Sequence, residues 1–215
     1  MSRYQVDDAT LEDIEAERAT YTPIADATRQ LADLSIRTQA SPADVGRARE
    51  HLEAAIALLG KDVMEGSYGV RHSRIGVTRA WGNAVVGARN PIAPPLTIVR
   101  DEARVCSEFE LSAAYEGPPG LVHGGVLALI LDQLLGEAAA AAGAPGMTGT
   151  LTVRYRRATP LGALHGEAHV DRVEGIKTYA VGHIADAEGV CVEAEGVFIL
   201  PRWARGEQTG PTRFE

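Results

Sequence analysis

Asp132 interrupts the apolar run VLALILDQLL, where burying an ionised carboxylate without a partner costs several kcal/mol. Two readings follow: the carboxylate points out of a partly wet helix face, or it is desolvated and poised as a general base or nucleophile. The same run opens on His123-Gly124-Gly125. Two residues without side chains leave backbone N–H groups open to a ligand at the positive end of a helix, which is how an oxyanion hole is built. Taken alone, the glycines serve equally well for a tight turn with His123 as the cap. Seven residues separate Gly125 from Asp132, which is roughly 10 Å along a helix axis. One small carbonyl group does not meet both, so Gly125 of one chain is expected to work with Asp132 of its partner.

The element that carries these residues, HGGVLALILDQLLGEAAAAAG, reads as about five turns of helix, apolar nearly all round and closed by Gly143-Ala144-Pro145-Gly146. Such a helix belongs inside the protein. Around it the apolar period is two, first in residues 103–111 and then in 150–157, 164–173, 176–185 and 190–200, with Glu174-Gly175 and Asp186-Ala187-Glu188-Gly189 as hairpin turns. The last four strands are expected to form an antiparallel meander. A helix entered after two strands and left into four is an α+β arrangement, an antiparallel sheet wrapped around a long buried helix. Five or six strands leave open edges, and pairing with a second copy into a continuous sheet covers them, so a homodimer at least is expected.

Upstream, Ser41-Pro42-Ala43-Asp44 supplies an N-cap, a proline at N1 and an acid at N3, and Gly60 closes that helix. Its apolar stripe of Val45, Ala48, Leu52, Ile56 and Leu59 must dock somewhere. A helix or pair of helices precedes it, around Leu11–Arg18 and Pro23–Arg37, with Thr22-Pro23 as a second start signal. Residues 61–89 are Gly-rich and weakly patterned, a linker with at most a short strand. The expected division is a helical extension and linker over 1–85, the sheet-and-helix domain over 86–205 and a tail over 206–215.

The chain has 215 residues, 45% hydrophobic and 23% charged, with a net charge of −8. That composition supports a globular core and argues against an obligate nucleic-acid binder, which needs a surplus of Lys and Arg. Cys106 and Cys191 stand apart with no CxxC spacing, which suggests neither a disulfide framework nor a thiolate zinc site and fits a reducing cytoplasm. Acids at the start of the chain and the lack of an uninterrupted apolar span lead to the expectation of no signal peptide and no membrane crossing.

The runs EGPPGLVHGGVLALILDQLLG, MTGTLTVRYRRATPLG and DRVEGIKTYAV resemble the acyl-CoA thioesterases of the hotdog-fold superfamily, in the thioesterase-superfamily-member and phenylacetate-pathway branch. The likeness covers roughly residues 90–200, and an Asp nine residues after the His of HGG sets it apart from hotdog dehydratases. It implies a hotdog fold and hydrolysis of an acyl-CoA to free acid and CoA, with neither metal nor redox cofactor, in a homodimer or homotetramer. It further implies that Gly125 gives its N–H to the thioester oxygen, that His123 shapes that pocket, and that Asp132 of the other protomer activates water or attacks directly. Thr148 matches a threonine that assists the carboxylate or positions water. Gln133 departs from the pattern, since a small residue usually follows the acid, and it is expected to narrow the acyl pocket or perturb Asp132.

Coenzyme A carries phosphates, which an acidic protein meets with a local basic cluster; Gly124 at the helix start and Arg156, Arg157 and Lys177 are the candidates. His165, Glu167 and His169 alternate on one strand, but with no fourth ligand in view they are read as an ordinary polar face rather than a metal site. Two rivals remain. One is a non-catalytic acyl-CoA or acyl-carrier binding protein on the same fold, which has no need of Asp132. The other is a hydratase, which wants a second acid-base residue that is not apparent.

Overall fold

The structure, a computed structural model, describes residues 4–101 and 104–204. The chain runs β1 (Tyr4–Asp7), α1 (Leu11–Arg37), α2 (Pro42–Leu59), β2 (Val70–Ser73), β3 (Thr78–Arg79), β4 (Val99–Asp101), β5 (Arg104–Leu111), α3 (Gly124–Ala141), β6 (Met147–Tyr155), β7 (Gly162–Glu174), β8 (Lys177–Asp186) and β9 (Gly189–Ile199). Residue 103 and the expected tail at 206–215 lie outside the described residues.

Six strands form one antiparallel sheet in the order β4-β5-β7-β8-β9-β6. α3 packs on its inner face through Leu127, Ile130, Leu131, Leu134 and Leu135, each 2% exposed or less. Val105, Phe109, Leu164, Ala168, Ala180, Ile184, Val192 and Phe198 meet them from the strands. This is the hotdog arrangement, helix as filling and sheet as bun. Close approach is built into the sheet, because a Cβ added at Gly166 on β7 would lie 2.6 Å from Leu134 Cδ1. By length and composition α3 passes for a membrane span, but Leu127, Leu131, Leu134 and Leu135 are packed in the core against the sheet.

Two expectations about this domain change. The last four strands are not a simple meander: β7, β8 and β9 follow one another, but β6 pairs with β9, from Met147↔Ile199 to Tyr155↔Val192. Alternation fixes which face a residue occupies and says nothing about which strand lies alongside. α3 is also not covered on every side, since Leu129 is 40% exposed and Asp132, Gln133 and Gly136 are half-buried. That face is open beside β6, an edge strand with most of its residues exposed.

The N-terminal region is more ordered than a helical extension and linker. β1 pairs in parallel with β2, which pairs antiparallel with β3, so residues within 61–89 form part of a small three-stranded sheet. Trp81 and Val85 are buried there, 5% exposed each. Four residues at the start of the chain supply the strand that the weak pattern of 61–89 lacks, a pairing across more than sixty residues that no local signal reports. α1 is continuous: Thr10 and Asp13 form a capping box, and Pro23 sits inside the helix instead of starting a second one. Both Pro23 and Ala19, whose carbonyl loses its donor to the proline, are exposed residues, so the lost bond falls on the solvent side of the helix. α2 has the expected Ser41 cap but buries nothing; Val45, Leu52, Ile56 and Leu59 all remain exposed on the single chain.

Arg79, 3% exposed, ties these elements together by pairing with Glu17 of α1 at 2.9 Å and with Asp7 of β1. Removing one member of a buried ion pair leaves the others uncompensated. Arg79→Met is therefore expected to destabilise the protein by about 3 kcal/mol in urea unfolding; an unchanged midpoint would show that the small sheet contributes nothing.

Candidate active site

α3 begins where the chain turns out of the sheet. His123 is its N-cap, and its Nδ1 accepts the Gly125 N–H at 3.0 Å, which places the ring proton on Nε2. The Gly125 donor is thus held by His123, while among the described residues no group accepts from the Gly124 N–H. The glycine at 124 has a steric cause: a Cβ there would lie 3.2 Å from Tyr155 Oη and 3.3 Å from the ring. The Tyr155 hydroxyl in turn donates to the Gly124 carbonyl at 2.8 Å. The loop into the helix is itself braced, since the His123 N–H donates to the Tyr115 carbonyl at 2.9 Å. Arg29 of α1 and the Tyr115 hydroxyl both donate to the Ala93 carbonyl, at 2.9 and 3.2 Å.

Two turns further on, Asp132 is half-buried on the open face of α3 rather than enclosed in the core, and Thr148 Oγ1 donates to its Oδ1 at 2.8 Å. Strand alternation alone would put Thr148 on the side of Thr152 and Arg154. The register of β6 against β9 shifts between Thr148 and Thr150, and this bulge turns the Thr148 hydroxyl toward α3. Gly149 inside the strand was the sequence signal for it. Asp132 and Thr148 line a groove of 380 Å³ with Gln133, Gly136, Met147 and Phe198. Gln133 leans away from the acid, its Nε2 donating to Glu137 Oε1 at 2.8 Å, and Glu137 also pairs with Arg100 of β4 at 2.7 Å. Larger clefts of 720 and 950 Å³ lie along α1, away from this carboxylate.

The structure therefore joins Asp132 with Thr148, and His123 with Gly124 and Gly125, but keeps the two groups apart on one chain. α3 and β6 run antiparallel, with Gly124 beside Tyr155 at one end and Asp132 beside Thr148 toward the other. The basic candidates divide likewise. Arg156 is half-exposed and holds Glu193 through two bonds of 2.9 and 2.7 Å. Arg157 is committed to the β8–β9 hairpin, bonding the Asp186 carboxylate at 2.8 Å and the Gly189 carbonyl at 2.7 Å. Lys177 is exposed at the other end of the sheet, level with Ile199 and Met147. His165 turns its Nδ1 to Glu108 at 2.5 Å, and His169 is exposed further along the strand. Tyr155 is the residue that sequence reasoning left without a role; nothing in a strand tyrosine announces a bond to a glycine thirty-one positions earlier.

Comparison with known proteins places these residues in context. Residues 119–193 match the family model described as Thioesterase superfamily. The chain is similar to a crystal structure of a thioesterase superfamily protein, with 35% identity over 84% of this chain and 90% of that one and a TM-score of 0.72. It is also 32% identical over 94 residues to the human acyl-coenzyme A thioesterase THEM5, covering 42% of this chain and 38% of the relative. Against the Xenopus laevis acyl-coenzyme A thioesterase THEM4 it is 34% identical over 101 residues, 46% of either chain. The matched segment spans less than half of the length of these two relatives.

The Arg157 guanidinium, with the Glu188 N–H at 2.7 Å as a further donor, holds the Asp186 carboxyl down at about 2. A folded pKa below the unfolded value of about 3.9 adds stability that is present above about pH 4 and lost as pH falls toward 2. Asp186→Asn should make urea midpoints fall less steeply over that window. An identical slope would contradict the assignment.

Proposed function

Since the chain belongs to the thioesterase superfamily, we propose that it hydrolyses the thioester of an acyl-CoA to the free acid and coenzyme A. The observation that carries this reading is Asp132 facing an open groove with the Thr148 hydroxyl fixed on its Oδ1. A carboxylate so oriented keeps its second oxygen for a water molecule or for the thioester carbon. The acyl-coenzyme A named in the two relatives supplies the substrate class.

The site is shared between two protomers. A two-fold axis just outside the exposed edge of β6, level with the middle of the strand, pairs it antiparallel with its copy and brings Asp132 and Thr148 of the partner subunit toward His123, Gly124 and Gly125. The same pairing covers the open sheet edge and the open face of α3. The thioester oxygen lies against the N–H groups of Gly124 and Gly125 as His123 Nδ1 yields the latter, at the positive end of α3. Water, losing its proton to Asp132, adds to the carbon; the tetrahedral intermediate collapses, the C–S bond breaks, and the CoA thiolate leaves to be protonated. If Asp132 attacks directly, the same groups serve an anhydride that water then opens. Arg156 of one protomer and Lys177 of the partner subunit lie toward the same end of the paired strands and suit the CoA phosphates, with Arg157 supporting the neighbouring hairpin.

The test is thiol release from short, medium, long and aryl acyl-CoA thioesters by the native protein and Asp132→Asn. Turnover of at least one thioester, lowered about a hundredfold or more by Asn, is expected. Tight acyl-CoA binding without cleavage of any of them would instead make this a carrier or sensor on the hotdog scaffold.

A further inference from the structure

We propose that Tyr155 is a positioning residue of the oxyanion hole, fixing and polarising the peptide unit between Gly124 and Gly125. This rests on the hydrolytic reading given above. The Tyr155 hydroxyl donates at 2.8 Å to the Gly124 carbonyl, and that carbonyl shares its peptide plane with the Gly125 N–H. The other end of the same plane is held by His123 Nδ1, which accepts that N–H at 3.0 Å. One peptide is thus gripped at both its oxygen and its hydrogen by two side chains from different elements.

Two consequences follow from elementary chemistry. Consecutive glycines have the widest backbone freedom of any pair, so an oxyanion hole made of them needs an external restraint. Tyr155 supplies it twice, with its ring against the Gly124 Cα, where a Cβ would come within 3.2 Å of Oη, and with its hydroxyl on the carbonyl. A hydrogen bond received by a carbonyl also draws electron density from the N–H across the same amide, making that N–H a stronger donor to an oxyanion. When His123 releases Gly125, the Tyr155 bond remains and keeps the plane in place. Tyr155 touches neither the reacting carbonyl nor the attacking water in this scheme; it acts through the backbone of Gly124 and Gly125.

Tyr155→Phe keeps the ring and removes only the hydroxyl. Its kcat is expected to fall about tenfold, the scale of one neutral hydrogen bond, with KM changed less than about twofold. A spectroscopic readout separates this role from simple support of the fold. In the Asp132→Asn background, a bound thioester carrying a ¹³C=O label should show a lowered carbonyl stretch, and adding Tyr155→Phe should return it part of the way to the free value. An equal stretch with and without the hydroxyl overturns the role given to Tyr155. A carbonyl that is not lowered by Asp132→Asn protein itself overturns the oxyanion reading, and with it this inference.

Discussion

A helix that offers backbone donors in its first turn and a carboxylate two turns later cannot bring them to one carbon. Gly125 and Asp132 are fixed about 10 Å apart by the rise of α3, and no side-chain rotation closes that gap. Everything else in the hotdog domain is arranged around this separation. The leucines on one side of α3 bind it to the sheet, while the face with Asp132, Gln133 and Gly136 stays open beside an edge strand. β6 runs antiparallel to α3 and touches it at both functional ends, through Tyr155 at Gly124 and Thr148 at Asp132. One strand thereby steadies both halves of the site and also presents the edge where a second copy can pair.

Much of this domain was legible in the residues. The period-two runs and the apolar helix gave the sheet, the filling and the hairpin turn at Gly175, whose φ of 58° only a glycine adopts freely. Asp132 stood out because it breaks an apolar run, and HGG because glycines at a helix start leave donors bare. What could not be read was adjacency. The pairing of β6 with β9 and the bond from Tyr155 to Gly124 depend on which strand lies next to which element, and Gly149 signals a bulge without telling that it turns Thr148 toward Asp132. Charge has the same limit: the sequence does not show that Arg157 bonds the Asp186 carboxylate and the Gly189 carbonyl, or that Arg156 bonds Glu193.

The N-terminal region shows the opposite imbalance, with clear local signals and hidden tertiary ones. Ser41-Pro42 starts α2 as the sequence requires, yet its apolar stripe finds no cover on the same chain. Pro23 carries a start signal that the continuous α1 overrides, because the lost bond falls on the solvent side of the helix. α1 reaches the site only indirectly. Arg29 and the Tyr115 hydroxyl meet on the Ala93 carbonyl, and the Tyr115 carbonyl holds the His123 N–H. The first turn of α3 is therefore connected through three hydrogen bonds to α1.

Subunit complementation tests the shared site most directly. Asp132→Asn removes the carboxylate, and Gly125→Pro, still within the first helical turn whose N–H groups have no intrahelical acceptor, removes the donor that His123 holds, so each variant alone should be nearly inactive. Unfolding and refolding the two together in equal amounts makes half of the dimers mixed, and each mixed dimer keeps one intact site. Thioesterase activity should then return to about a quarter of the native value. Mixed dimers that form, as mass measurement would show, and yet remain inactive would contradict a site built from both protomers.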